Sequence, residues 1–190
     1  INKLVGNFIL FYSIINLIFF FVKKNFKIKI IKFLITTAII SFLLICLSNI
    51  NRPDAGLYHL PYTSLINDNK IIIGASNIHF RFGHISSLQY LNASYYNQFL
   101  PLEFITLPMA SIASFFYFFV ISKFLISLKS DNINKTFILF FILVFSIYSF
   151  NRYSNFGNDA ISHMYFFLII ILFIDISLSR IDLNKFFKLN

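Results

Sequence analysis

Asp54, Tyr58 and His59 stand close together in the chain, and Asn77, His79 and Arg81 follow at every second position of a later segment. A carboxylate beside an imidazole can take a proton from a hydroxyl as a general base. A guanidinium with an imidazole and an amide suits an anionic group such as phosphate, because Arg forms paired, charge-assisted hydrogen bonds. All six residues lie in the interval 51–98, NRPDAGLYHLPYTSLINDNKIIIGASNIHFRFGHISSLQYLNASYYNQ, the one long polar stretch of the chain. That interval holds His59, His79 and His84, three of the four histidines, so the titratable chemistry is concentrated there.

Each residue also has a plainer reading. Asp54 follows Pro53 and precedes a helical pattern, where it can cap the first amide groups. The segment Asn77-Ile78-His79-Phe80-Arg81-Phe82 alternates strictly, which predicts an extended chain with Asn77, His79 and Arg81 on one face. Its plain reading is a surface strand with a solvated side. Gly83 then ends the strand, and Ser86 is a candidate cap for the next helix. No Walker-type loop or dinucleotide fingerprint is present.

Two further groups extend the candidate site. Asp159 and His163 are four apart and share one helix side. With Asp54 they form a carboxylate–imidazole cluster, or a divalent-cation site. Glu103, at the end of a neighbouring apolar run, is a candidate to join them. The spacing assigns no metal ligand, and a divalent cation is the one cofactor considered.

The elements that must position these residues are apolar. Of 190 residues, 58% are hydrophobic and 12% are charged, at a mean hydropathy of +0.77. Soluble domains are about a quarter charged. The runs Leu4–Val22, Phe33–Ile50, Leu102–Leu128, Phe137–Phe150 and Ala160–Leu178 read as membrane helices, which need roughly 20 apolar residues. The expected fold is therefore all-α and integral to the membrane, with about five spans. Residues 1–50 supply two spans, 51–100 a loop, and 101–190 three more spans with a short second loop at 151–159. Helical stripes at Tyr58, Tyr62, Leu65 and Ile66, and at Ile85, Leu88, Tyr95 and Phe99, predict helices lying along the interface. The chain opens on Ile1 directly before an apolar run, so a piece of a longer protein is expected.

Charge sets the orientation. Lys23, Lys24, Lys27, Lys29, Lys32, Lys129, Lys135, Arg180, Lys185 and Lys188 fall on one side if every run crosses once, against Arg52, Lys70, Arg81 and Arg152 on the other. The richer side is expected to be cytoplasmic. Both polar loops then face outward together. The net charge of +9 is accounted for by these inter-span lysines, so nucleic acid is not an expected partner. Cys46 is alone and expected to pack within its run. Asp175 is expected to pair with a basic residue such as Arg180.

The stretch Asp54-Ala55-Gly56-Leu57-Tyr58-His59, followed by Gly74, Asn77, His79, Arg81, Gly83, Ser86 and Ser87, resembles bacterial multi-span glycosyltransferase-like proteins of the GT-C superfold. The likeness covers residues 50 to 90; elsewhere it lies in hydropathy alone. It implies that an acid in an early extracytoplasmic loop, here Asp54, is the catalytic base, with His59 beside it. It implies a polyprenyl-phosphate-linked sugar as donor, with Arg81 and His79 as candidates for the phosphate. Tyr58, Asn77, Asp159, His163 and Glu103 complete the candidate substrate-binding set. The implied location is the inner (plasma) membrane, with the bilayer as a partner. The acid is single here, where relatives carry a pair. The competing readings are a transporter or flippase of lipid-linked sugars, and a non-catalytic envelope subunit.

Overall fold

Lipid offers backbone groups no partners, so an apolar chain must satisfy them within each segment. The computed structural model describes residues 3–22, 28–47, 54–69, 72–83, 86–95, 99–130, 132–150, 157 and 159–179. Among them every regular element is a helix. Helix α1 is Lys3–Val22 and α2 is Ile28–Leu47. The polar interval forms a π-helical turn Ala55–His59, α3 Leu60–Asp68, a one-turn α4 Ala75–Ile78, a 3-10 turn Phe80–Gly83, and α5 Ser87–Ser94. A 3-10 turn Leu102–Thr106 leads into α6 Leu107–Ser127, then α7 Ile133–Tyr148 and α8 Asp159–Ser179. Three helical units are long and apolar enough to cross a membrane: Ile28–Leu47, Phe104–Ser127 and Asp159–Ser177. The apolar helical stretches Leu4–Phe19 and Ile133–Tyr148 are shorter.

Helix α6 is the axis of the bundle. Pro108 sits in its first turn, where a missing N–H costs nothing. Ala110, Ala113, Phe116 and Val120 of α6 are all buried. Small residues let α2 approach closely, and Ser41 and Ser114 share a 2.8 Å hydroxyl hydrogen bond across the contact. On another side the Tyr117 hydroxyl donates to the Ser146 carbonyl of α7 at 2.8 Å. Phe116 stacks on Phe167 of α8. The outward faces stay apolar: Phe8, Phe141 and Phe173 are each more than 60% exposed. Surfaces of that kind exceed what water tolerates and mark contact with a membrane or partner.

Cys46 departs from expectation. It is exposed on α2, next to the buried Leu44 and Ile45. Asp175 is paired with basic residues, as expected; Arg180 lies outside the described residues. Its Oδ2 takes a 2.6 Å hydrogen bond from Lys123 of α6, and its Oδ1 one from Lys135 of α7. One carboxylate thus ties three helices together. The connection beside it is also well bonded: Asn132 Oδ1 accepts from the Lys135 amide at 3.0 Å, and the Thr136 hydroxyl donates to the Ser127 carbonyl at 3.1 Å. Removing one member of a buried ion cluster leaves uncompensated charge behind, whereas replacing all of them by apolar residues is near neutral. With side chains 21–32% exposed, Asp175→Leu is expected to lower stability by about 2 kcal/mol, between the buried and surface cases. Adding Lys123→Leu and Lys135→Leu should recover most of it. Unfolding in detergent with rising denaturant measures both; a triple variant no more stable than the single one would refute the ion-cluster account.

Candidate functional site

The polar interval builds its own small core. Tyr62 and Ile66 of α3, Ala75 of α4, Phe82 of the 3-10 turn and Ala93 of α5 are buried against one another, with Tyr58, Leu65 and Ile72 half-buried around them. The stripe Tyr58, Tyr62, Leu65, Ile66 therefore faces inward, onto neighbouring turns of the same loop. Tyr62 and Phe82 rings meet at 5.1 Å. Ser86 precedes α5 without a side-chain cap bond. His84 and Ile85 lie outside the described residues, as do Lys23, Lys24, Lys27, Arg52, Lys70, Arg152, Arg180, Lys185 and Lys188 of the charge pattern and most of the second loop.

The expected strand at 77–82 is absent, and the reason is local. Gly74 takes a left-handed conformation at φ 74° and turns the chain into the one-turn helix α4. The amide of Asn77 donates to the Gly74 carbonyl at 2.9 Å, and that of Phe82 to the His79 carbonyl at 2.9 Å. A strand needs a neighbouring strand for its backbone groups, and none exists among the described residues. Only Phe82 of the apolar trio is buried; Ile78 and Phe80 are exposed. Asn77 is exposed on α4, and among the described residues no side-chain contact joins it to His79 or Arg81. Its side-chain nitrogen would lie 3.1 Å from a Cβ at position 74. Gly74→Ala thus meets both a left-handed backbone and this contact. It is expected to cost about 1–2 kcal/mol and to raise protease sensitivity of the loop. Wild-type sensitivity would count against the turn as its organiser.

His79 and Arg81 are still brought together, through Tyr58. The Arg81 guanidinium lies over the Tyr58 ring, 4.5 Å from its centroid. The His79 ring is parallel to Tyr58 at 6.3 Å. The Arg81 amide donates to His79 Nδ1 at 3.3 Å. A guanidinium on an aromatic face keeps its N–H edge available for an anion. Arg81 is exposed, so that edge reaches the surface.

Tyr58 and His59 belong to the π-helical turn, whose wide ring closes as the Leu60 amide donates to the Ala55 carbonyl. Such turns occur often at functional sites because they shift side chains by about one position. Asp54 immediately precedes it. Its carboxyl makes no cap hydrogen bond and is exposed, so the capping role is not taken up. Burial pushes the Tyr58 phenol up from its ordinary range; Asp54 and Asp159 add to this, while Arg81 opposes it. Tyr58 is therefore a neutral phenol at neutral pH. Burial likewise pulls the His59 imidazole down, against the opposite pull of Asp54 and Asp159, and Arg81 assists burial.

The second loop reaches this place too. A Cβ at Gly157 would stand 3.4 Å from His59 Nε2. Asp159, in the first turn of α8, is exposed and close enough for its charge to act on Tyr58 and His59. Its carboxylate also sits at the favourable, positive end of that helix. The two polar intervals, remote in sequence, thus meet around His59. His163 is half-buried one turn further along α8. Glu103 lies in the 3-10 turn before α6, at a position whose side chain is not described. Among the described residues no three His, Cys, Asp or Glu side chains gather as a metal site.

Motif reading missed Gln89, which is buried on α5 with its side-chain nitrogen 3.3 Å from His59 Nδ1. It also missed Thr63, whose hydroxyl donates to the His59 carbonyl at 2.8 Å. The available signal was position: Gln89 adjoins Leu88 on the inward side of α5, where a polar side chain needs a specific partner.

A family model described as Domain of unknown function (DUF8201) matches residues 2–189. No curated protein and no solved structure matches the chain.

Proposed function

We propose that this chain, which belongs to the DUF8201 family, is a GT-C-type membrane glycosyltransferase, moving a sugar from a polyprenyl-phosphate carrier to a cell-envelope acceptor. The observation that carries the reading is the convergence at one surface of an uncapped carboxylate, Asp54, a guanidinium seated on an aromatic ring, Arg81 on Tyr58, and the second loop at Gly157 and Asp159. It supports a site that pairs a proton acceptor with an anion holder beside apolar helices.

In the proposed reaction Asp54 takes the proton of the acceptor hydroxyl. The oxygen forms a bond to the anomeric carbon of the sugar. The bond from that carbon to the phosphate oxygen breaks, and the polyprenyl phosphate leaves with the electron pair. Arg81 and His79 meet its charge, where fixed donors act most strongly. Tyr58 orients Arg81, and Asp159 and His163 border the acceptor side. Asn77 and Glu103 complete the candidate substrate-binding set. All five apolar helices cross the inner membrane in this reading; α7, with 16 residues, is shorter than the usual span and is accommodated by local thinning of the bilayer. The 51–100 loop faces away from the cytoplasm.

A transporter of lipid-linked sugars is the alternative. Such proteins place polar groups near the membrane midplane. The Lys123–Asp175–Lys135 cluster is the candidate, yet Lys123 and Asp175 each lie four residues from the end of their helices. That position favours an anchor over a translocation path. A non-catalytic envelope subunit would tolerate joint loss of Asp54 and Arg81.

Turnover of a radiolabelled polyprenyl-phosphate sugar by membranes carrying the protein tests the activity. Labelling of single cysteines at Asn77 and Asn158 with a membrane-impermeant reagent tests the topography. Both positions should react from outside the cell; reaction from opposite sides would end the proposal.

A further inference from the structure

Gln89 and His59 come from different helical elements, and both are more than nine-tenths buried. The Gln89 side-chain nitrogen lies 3.3 Å from His59 Nδ1. With the Gln89 amide turned this way its Oε1 is buried with no hydrogen-bond partner among the described residues, and its NH2 group, which can only donate, faces a ring nitrogen that then carries a lone pair. The remaining ring proton then sits on Nε2. The geometry points to Gln89 as a positioning residue that holds His59 in its neutral Nε2–H tautomer, so that His59 offers a hydrogen-bond donor, and no base, toward the second loop.

The surroundings agree. His59 Nε2 is the ring atom nearest to Gly157, where a Cβ would stand 3.4 Å away. The hydroxyl of Thr63 is engaged by the His59 carbonyl and does not compete for the ring. Among the described residues, the charged and titratable groups acting on the imidazole include Asp54 at the start of its own turn, Arg81 from the 3-10 turn, Asp159 from α8, and the adjoining Tyr58 phenol. The two carboxylates favour an imidazolium; burial and Arg81 oppose it, and burial is the largest influence. The order of strengths leaves the ring neutral at neutral pH. Under the proposed transfer reaction this leaves Asp54 as the proton acceptor. The tautomer is a property of the resting protein, so its test stands apart from that reaction.

Nitrogen-15 NMR of histidine-labelled protein in lipid nanodiscs reads the tautomer directly, with His59 assigned by its loss in His59→Gln. The expected spectrum has an unprotonated Nδ1 and a protonated Nε2 at neutral pH, persisting below the usual histidine midpoint. Gln89→Glu replaces the donor by an acceptor of the same shape. A carboxylate at that distance favours the imidazolium, so the titration midpoint should rise by about 1–3 pH units, with the proton appearing on Nδ1. A protonated Nδ1 in the wild-type protein would overturn the assignment. So would a Gln89→Glu protein whose His59 midpoint and tautomer are those of wild type. The wild-type spectrum decides the matter even where the variant does not fold.

Discussion

Asp54→Asn is expected to lower sugar transfer by about 10²–10⁴-fold, the range for loss of a positioned general base. The amide matches the carboxylate in shape but cannot hold the acceptor's proton. Asp54 is exposed and makes no cap hydrogen bond, so the substitution removes no structural contact described at the start of the π-helical turn. Expression and melting temperature should therefore stay at wild-type values. The measurement is initial rate against acceptor concentration in nanodiscs, alongside thermal unfolding. Loss confined to kcat, with KM little changed, is the expected pattern for a group acting in the transition state. Asp54→Asn with full activity would remove this carboxylate from the mechanism.

Arg81→Gln carries the second large effect. Removing one preorganised donor from a site of developing negative charge costs about 10²–10³-fold in rate. The guanidinium lies on the Tyr58 ring rather than within the core, and the aliphatic part of Gln can still cover part of that ring. Tyr58→Phe makes the informative companion. It keeps the ring face beneath Arg81 and loses only the phenol hydroxyl, so it should cost far less than Arg81→Gln. If the Arg81 role is electrostatic, Arg81→Lys should recover part of the rate, because a point charge remains while the paired geometry is lost. An Arg81→Gln protein with wild-type turnover and wild-type affinity for the donor would place the phosphate elsewhere.

Both outcomes depend on residues that motif reading found, but several of its geometric reasons did not survive. His79 and Arg81 were paired by assuming a strand; they are paired by a ring. Tyr58 lies between them, and the same polar alternation is produced by two short helical turns after Gly74. Periodicity alone links Asn77 to them, and among the described residues no side-chain contact does. Spacing alone predicts Asp175 as a paired charge; its partners come from α6 and α7, where partial burial makes Lys123 and Lys135 seek an anion across the bundle.

Composition and hydropathy by themselves determined the helical class, the apolar surfaces and the concentration of titratable groups in residues 51–98, because these follow from the cost of placing bare backbone and charge in an apolar medium. What they left open was adjacency. Only tertiary packing decided that Gly157 lies on His59, that Gln89 holds its other ring nitrogen, and that Arg81 covers Tyr58. Contacts between distant segments depend on helix ends, turn handedness and side-chain volume acting together, and no local spacing in the chain encodes their sum.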